Sequence, residues 1–363
     1  MKSATIRLGL LLSIACGLAL LVGCGGPKTP PPPEKLKVDR FTTQQGLPHD
    51  HITALVSFGT QVWAGTRNGL ARFDGVNWQV HVTKNTNALG SNIIENLTVA
   101  DGAVWISTDN GVTRTDGTNW ASIFTGSRAR AATARGSEIA VATAHGVDYT
   151  TGGSFISLSK ETAGLVYDEV QALCYDANGK LWVGTRAGMA QLNGQVFQNF
   201  TGPAQQPMGT SLIEIPPNPP NCQLVGNNIN AIVPYKGKLA IATTSGLTIT
   251  DMANQWTSYT STHKKWVQRA GKIFEEQAPG NSPLPGPSIT ALAVAPNDAA
   301  LFVGTNKGLA ILQDGKWLEF ENRLATVPSG AITALVMHEK DLWVGTQSGL
   351  FRIINLASLL SAS

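Results

Sequence analysis

A single phrase recurs along this chain, and its recurrence constrains the fold more than any other feature. It reads LWVGTRAGMAQLNG at 181–194, and close copies stand at 62–75, 301–315 and 342–353. Aligned on its threonine, the phrase has seven copies, each with a glycine three residues after the threonine. These threonines are Thr66, Thr108, Thr143, Thr185, Thr243, Thr305 and Thr346. Their spacings of 42, 35, 42, 58, 62 and 41 residues predict a repeat architecture with two insertions.

Each copy predicts four short antiparallel strands. Asn-Gly pairs at 178–179 and 193–194 are typical of tight hairpins, and Gly188 allows a third reversal after Thr185. The strands predicted around these turns are Val170–Tyr175, Leu181–Gly184, Met189–Leu192 and Val196–Phe200. Seven such sheets fit a propeller, whose radial closure protects the strand edges. We therefore predict an all-β protein whose residues 36–357 form a seven-bladed β-propeller of four-stranded antiparallel blades.

The two ends of this region predict how the ring closes. The last copy stops after its third strand, at about Leu356, and the first copy is preceded by Leu36–Thr42, which matches a fourth strand. We expect the N-terminal strand to complete the last blade. Large aromatic residues recur at one strand position and are expected to pack between blades. They are Trp63, Trp105, Trp182, Phe302 and Trp343.

The segment GLPHDHITALVSFGTQVWAGTRNGLARFDG at 46–75 resembles the two-component regulator propeller repeat. That pattern runs through Gly-Leu-Pro, an Ala-Leu strand, Leu-Trp-Val-Gly-Thr and Gly-Leu. The resemblance extends over residues 36–356 and is weaker over 125–160. It implies a propeller of the kind that often forms the periplasmic sensor half of a hybrid histidine kinase and detects glycan fragments. No kinase or receiver domain is present in this sequence, so we expect any signalling role to act through a separate partner.

The repeat also resembles that of streptogramin lyase, which is a propeller enzyme. No block of this sequence carries that enzyme's catalytic residues, and no other catalytic motif is found, so we expect a protein that is not an enzyme. Motifs for haem attachment, phosphate loops and zinc proteases are missing as well, so no cofactor is expected.

The first residues predict export and a lipid anchor. Lys2 and Arg7 precede an apolar run, Leu8–Val22, which is too short for a comfortable membrane span. The run leads into Leu-Val-Gly-Cys at 21–24, which resembles the bacterial lipoprotein signal. The resemblance implies cleavage after residue 23 and acylation of Cys24. The alternative is an ordinary secretory signal with a chance cysteine.

The residues around the proposed anchor suggest its location. Residues 24–35 would form a proline-rich tether, and residues 358–363 a short C-terminal tail. Gly25, which stands where a retention signal would have Asp, implies the outer membrane, with the periplasmic or surface side left open. Without Lys2 and Arg7, the sequence has 25 basic and 24 acidic side chains, a nearly neutral balance. Since no basic stripe is implied, nucleic acid is not an expected partner.

Cys174 and Cys222 leave two interpretations open. In an oxidising compartment they could form a disulfide. Alternatively, Cys174 fills a core position, because valine occupies the equivalent place in other copies.

A first group of candidate site residues lies where the inner strands begin. These residues are His49, Asp50 and His51 in the first copy and Tyr167, Asp168 and Glu169 in the fourth. In a propeller these positions surround one mouth of the central channel. A His-x-His beside carboxylates could hold a divalent metal. The interpretation we favour is that the aspartates cap the strand starts, so no metal site is predicted.

A second group lies in the two insertions, 201–228 and 261–288. Both follow a fourth strand and precede a first strand, so we expect them on the same face of the ring and in contact. Proline-rich stretches in both make disorder the competing interpretation. The second insertion mixes cationic and aromatic residues, a composition enriched in interface anchors. We predict that Trp266, Arg269 and Phe274 form a partner-binding patch, with His263, Lys264 and Lys265 beside it.

Three functions fit these features. The first is a membrane-anchored lipoprotein that displays a propeller and binds an envelope protein or small molecule. The second is the detached sensor of a two-component pathway that binds a saccharide. The third, which has the least support, is an enzyme similar to streptogramin lyase. A propeller fold alone does not choose among them.

Overall fold

The computed structural model describes residues 35–320, 323–326, 328 and 330–360. The predicted signal segment, Cys24 and nearly all of the proline-rich tether lie outside these residues. Within them the protein is an all-β propeller with seven four-stranded antiparallel sheets. The inner strands of neighbouring sheets contact each other around the whole ring, including the last with the first. The seven-bladed architecture predicted from the repeats is confirmed.

The blades follow one another in chain order, with each blade running from its inner to its outer strand. The N-terminal strand is β1 (Val38–Phe41). Blade 1 has β2 (Ile52–Phe58), β3 (Gln61–Thr66), β4 (Gly69–Phe73) and β5 (Trp78–His81). Blade 2 has β6 (Ile94–Ala100), β7 (Ala103–Thr108), β8 (Gly111–Thr115) and β9 (Trp120–Thr125). Blade 3 has β10 (Ala131–Arg135), β11 (Glu138–Thr143), β12 (Gly146–Thr150) and β13 (Ile156–Leu158).

The two insertions follow blade 4 and blade 5, and each forms a separate two-stranded hairpin. Blade 4 has β14 (Val170–Tyr175), β15 (Leu181–Thr185), β16 (Gly188–Asn193) and β17 (Val196–Phe200), followed by the hairpin β18 (Ala204–Met208) and β19 (Ser211–Ile215). Blade 5 has β20 (Ile229–Tyr235), β21 (Lys238–Thr243), β22 (Gly246–Thr250) and β23 (Trp256–Tyr259), followed by the hairpin β24 (His263–Arg269) and β25 (Lys272–Ala278). Blade 6 has β26 (Ile289–Val294), β27 (Leu301–Thr305), β28 (Gly308–Gln313) and β29 (Lys316–Trp317). Blade 7 has β30 (Ile332–His338), β31 (Asp341–Thr346) and β32 (Gly349–Ile353).

The remaining regular structure is short. The helices are α1 (Lys160–Ala163) and α2 (Ala357–Leu360), with 3₁₀ turns at Thr43–Gln45 and Pro296–Asp298. No helix among the described residues is long and apolar enough to cross a membrane.

Blade 7 is completed by the N-terminal strand. β1 pairs antiparallel with β32, from Val38 opposite Ile353 to Phe41 opposite Leu350. This pairing covers the outer edge of blade 7 and joins the two ends of the ring, as predicted. Phe41 also stacks on the indole of Trp343 with the ring centroids 5.6 Å apart.

Most of the core lies between blades, and the recurrent phrase explains how it is packed. In four copies the residue before the recurrent threonine is glycine, and this glycine lies against an isoleucine at the start of the next inner strand. A Cβ atom on this glycine would lie 2.5 Å from Ile94 at Gly65, 2.6 Å from Ile229 at Gly184, and 2.7 Å from Ile332 at Gly304 and from Ile52 at Gly345. The glycine therefore allows adjacent blades to approach closely. The recurrent aromatic residues are buried, with Trp63 and Phe302 fully so.

The recurrent threonine closes the turn between the second and third strands. In the first copy, Thr66 Oγ1 donates to the carbonyl of Gly69 at 2.7 Å and accepts the N–H of Asn68 at 3.2 Å. The same donation occurs from the other six threonines. All seven threonines are buried. The phrase thus repeats for reasons of packing and turn geometry and not for chemistry.

Cys174 and Cys222 are both buried and free, and they pack in one hydrophobic cluster between blades 4 and 5. Burial, with the nearby Asp176 carboxylate, raises the pKa of the Cys174 thiol to about 12. The thiol is therefore protonated at neutral pH and acts as a core side chain. The disulfide interpretation is not realised in this structure.

Candidate binding surfaces at one face of the propeller

Two kinds of chain reversal lie at the same end of the ring. Because the strands of a blade are antiparallel, the threonine turns and the connections from each outer strand to the next inner strand meet at one face. We call this the connection face. All candidate site residues from the sequence lie on it, and so do both hairpin insertions.

A recurring hydrogen bond organises the connections. An Asp or Asn ahead of the inner strand accepts the backbone N–H of a residue just after the preceding outer strand. The donor and acceptor pairs are Thr43 and Asp50, Thr83 and Asn92, Lys160 and Asp168, Gly202 and Asn227, and Thr260 and Asn281, at 2.6 to 2.8 Å. We call these five contacts the connection clamps. They account for Asp50 and Asp168 as capping residues.

The two histidines beside Asp50 interact with each other and with a neighbouring cation. The backbone N–H of His51 donates to Nδ1 of His49 at 2.9 Å, which leaves Nε2 as the protonated nitrogen of His49. Burial, with smaller contributions from Arg67 and His49, lowers the pKa of the His51 imidazole. His51 is therefore neutral at neutral pH. Among the described residues, no group of three His, Cys, Asp or Glu side chains is placed to hold a metal ion.

Glu169 belongs to a charged network at the channel mouth. Its carboxylate pairs with Arg130 at 2.8 Å and with Arg186 at 3.0 Å, while the neighbouring Tyr167 is exposed. A further pair joins Arg128 of the adjoining connection to Glu95 of blade 2 at 2.9 Å. We call these five charged residues the charged arc.

The channel itself is a cavity of about 860 Å³ enclosed by the seven inner strands. One polar residue near the start of each inner strand lines it. These residues are Thr53, Glu95, Arg130, Gln171, Asn230, Thr290 and Thr333. Several of them bond to the next blade, as when Gln171 donates to Asn228 at 2.7 Å and Asn230 donates to the carbonyl of Ile289 at 2.6 Å. These residues were not predicted from the sequence, although in six of the seven blades the polar residue directly follows the aliphatic residue that begins the inner strand.

The two insertions fold as β-hairpins and touch, as expected. The side chain of Gln268 makes both contacts in the way that a strand backbone would. Its Nε2 donates to the carbonyl of Thr210 at 2.9 Å, and its Oε1 accepts the N–H of Leu212 at 3.1 Å. The insertions are therefore ordered as a pair in this structure, and the two hairpins form one paired projection.

The paired hairpins carry much of the apolar surface of the protein. Ten large hydrophobic side chains are exposed among the described residues, and half of them lie on the hairpins. These five are Met208, Ile213, Ile215, Trp266 and Phe274. On β18–β19, the register places Met208, Ile213 and Ile215 on one face.

The register of β24–β25 divides the patch predicted from the sequence. Trp266 pairs with Glu275, Val267 with Phe274, and Arg269 with Lys272. Because alternate residues of a strand point to opposite faces, Trp266 lies on one face and both Arg269 and Phe274 lie on the other. Of the neighbouring residues, Lys264 shares the face of Trp266, while His263 and Lys265 share that of Phe274.

Comparison with known families identifies the repeat. Residues 164–187, which run from the connection into blade 4 to its first threonine turn, match the family described as "Two component regulator propeller". The chain carries the two-component regulator propeller repeat. No curated protein sequence matches the chain significantly.

Solved structures share the architecture of this propeller. One is the extracellular domain of BT4673 from B. thetaiotaomicron, described as part of a hybrid two component system, with a TM-score of 0.64, 16% identity, and coverage of 88% of this chain and 40% of that one. The extracellular domain of BT3049 from the same organism has a TM-score of 0.60 and 17% identity, with coverage of 88% of this chain and 42% of that one. The WD40 propeller of Doa1 has a TM-score of 0.59 and 11% identity, with coverage of 91% of this chain and 99% of that one. The chain thus spans about two fifths of the two bacterial structures, and at these identities the likeness is one of fold.

Proposed function

We propose that this protein is a binding module of the cell envelope that captures a partner protein on its paired hairpins. The observation that carries the proposal is the concentration of exposed large hydrophobic side chains on these two insertions. Exposed apolar surface on a soluble domain marks interaction sites, and long ordered loops on a rigid scaffold are commonly functional. The proposal includes no catalytic step.

The course of the chain supports display of the hairpins away from an anchor. The N–H of Ile354 donates to the carbonyl of Lys37, and Ala357 donates to Lys340 in the turn between β30 and β31. This turn lies on the face opposite the connection face, so the chain enters the propeller there. An anchor attached ahead of Lys35 would therefore join the propeller on the face opposite the hairpins.

Capture of a partner can be tested with hairpin replacements in the full-length protein. Replacing 204–215 and 264–277 with Gly-Ser-Gly links removes both hairpins and keeps every connection clamp. We expect capture from envelope extracts, measured by affinity isolation and mass spectrometry, to be lost. The matched control is Val76→Ser with Val196→Ser, since Val76 is exposed in a turn and Val196 is exposed at the start of β17, both on the opposite face. Capture that survives the replacement, or that is lost in the control, contradicts the proposal.

The anchor has its own test. Two or more acyl chains give stable membrane attachment, so Cys24→Ala should move the protein to the soluble fraction or leave its signal segment uncleaved. The location of the domains of BT4673 and BT3049, which are described as extracellular, supports an envelope location for this chain. Membrane fractionation that finds the variant processed and still bound argues against lipidation.

A second candidate function is small-molecule sensing through the channel. It is favoured by the cavity of about 860 Å³ and by the charged arc at its mouth. A saccharide is the ligand class that the regulator resemblance suggests. Calorimetric titration with oligosaccharides, compared between the natural protein and Glu169→Gln, tests it. Absence of heat with every saccharide, or equal affinity in both proteins, removes this candidate.

A further inference from the structure

We infer that the partner presents an acidic, extended segment to one face of the β24–β25 hairpin. This inference rests on the proposed capture of a protein by the paired hairpins. The face is formed by Lys265, Val267, Arg269, Lys272, Phe274 and Glu276. We call it the basic face.

The two faces of this hairpin are engaged differently. On the opposite face, Gln268 binds the neighbouring hairpin, and Lys264 is paired with Glu275 at 2.7 Å. That face is balanced in charge and in contact with the rest of the protein. The basic face lies on the other side of the same strands, away from the side chain that joins the hairpins.

Charge is uncompensated on the basic face. Arg269 pairs with Glu276 at 2.8 Å, while neither Lys265 nor Lys272 has an ion pair among the described residues. Arg269 and Lys272 also lie directly opposite each other across the two strands. Like charges in this position destabilise a strand pair. An incoming carboxylate would relieve that repulsion, so the face favours an anionic partner.

The centre of the face is apolar. Val267 and Phe274 are cross-strand partners, and Phe274 is 45% exposed. Two residues along the strands from this pair, Lys265 lies on one side and Arg269 with Lys272 on the other. Side chains on one face of an extended peptide repeat every second residue, about 7 Å apart. The complementary segment therefore reads acidic, any residue, apolar, any residue, acidic. The apolar centre and the carboxylate of Glu276 favour such a peptide over a continuous polyanion.

The test uses full-length protein in detergent and a labelled peptide with repeated Glu-Ser-Phe-Ser-Glu. Fluorescence anisotropy should detect binding that weakens as NaCl is raised from about 25 to 250 mM, because the ionic contacts are screened. A peptide with Gln in place of Glu should bind at least about tenfold more weakly, a loss of about 1.4 kcal/mol. Lys265→Glu with Lys272→Glu should weaken binding by at least as much, and Phe274→Ser should also weaken it. Lys316→Glu, which reverses one exposed charge at the start of β29 on the opposite face, is the control for charge reversal elsewhere and should leave binding unchanged.

The outcomes separate this inference from the proposed function. Equal binding of the Glu and Gln peptides, or unchanged binding in the double lysine variant, overturns the acidic segment. Tighter binding to anionic phospholipid vesicles than to the peptide overturns it in favour of a membrane. If envelope capture depends on the hairpins while the acidic peptide does not bind, the inference fails and the proposed function stands. If capture does not need the hairpins, the proposed function fails.

Discussion

The connections between blades are of two kinds. Between blades 1 and 2, the clamp from Thr83 to Asn92 encloses a short loop without strands, whereas between blades 4 and 5 the clamp from Gly202 to Asn227 encloses a complete hairpin. The hydrogen bonds that close them measure 2.8 and 2.7 Å, so the larger insert leaves the clamp unchanged. The clamp therefore closes the connection in the same way whether it encloses a short loop or a hairpin. The ring acts as the scaffold, and the connections of different length carry the additional surface.

The largest effect should follow from opening the ring. Deleting residues 36–43 removes β1 and the clamp donor Thr43, and exposes the edge of β32 and the ring of Trp343. An unpaired, apolar strand edge promotes aggregation. We expect the variant to aggregate or to melt far below the natural protein, as measured by calorimetry and light scattering. Equal melting temperatures would show that closure by β1 does not stabilise the ring.

A buried aromatic residue between blades should come next. Trp343 is 1% exposed and contacts Phe41 and Phe73. Trp343→Ala should lower the free energy of unfolding by about 3–5 kcal/mol, because it leaves a cavity that the blades fill only in part. Denaturant unfolding measures this. Trp266→Ala on the hairpin is the control, and a comparable loss there would contradict the division between scaffold and display.

The clamps should give intermediate effects. Asn92→Ala and Asn227→Ala each leave a backbone N–H without its acceptor, at a cost of about 1 kcal/mol. Asn227 also donates from Nδ2 to the carbonyl of Gly202 at 3.1 Å, so its replacement should cost up to about 1 kcal/mol more. Should Asn227→Ala cost far more than Asn92→Ala in the same unfolding experiment, the hairpin would be part of the scaffold and the comparison would fail.

The smallest effect is expected from removing the first hairpin. Its strands are mostly exposed, and Ala204 lies opposite Ile215, so a Gly-Ser-Gly link can replace residues 204–215. The free energy of unfolding should change by no more than about 0.5 kcal/mol. A shortened link that also removed Cys222 and Leu224 would be destabilising, since both are buried in the core. A large loss from the 204–215 replacement alone would mean that the hairpin supports the ring.

Much of the scaffold could be predicted because the same physical requirements repeat seven times. Val170–Tyr175 and Val196–Phe200 were predicted with the bounds that β14 and β17 have. The glycine three residues after the recurrent threonine is required by the turn and is present in every copy. The residue before the threonine is kept small by blade packing and is glycine in four copies. Ring closure followed from counting strands in the first and last copies.

The face assignments on the second hairpin could not be predicted, because they depend on one turn. The reversal at Ala270-Gly271 is a two-residue turn in which both residues have positive φ, 48° and 71°. Alanine seldom marks such a turn, and a loop longer by one residue would have placed Trp266 and Phe274 on the same face. The clamps were missed in part for a related reason. Asn227 closes its connection while the adjacent Asn228 bonds to Gln171, and the sequence does not distinguish these two asparagines.

The pairing of β1 with β32 also sets the order in which the protein can fold. Arg40 donates to the carbonyl of Ser348, a contact that spans 308 residues of sequence. Contacts of such separation form late, because the loss of chain entropy precedes the gain from pairing. The strands of six blades are consecutive in the sequence and pair through local hairpins. Blade 7 is completed only when β1 pairs with β32, which requires nearly the whole chain. Until β1 and β32 pair, their edges are exposed, so the closure of blade 7 is the step at which folding competes with aggregation.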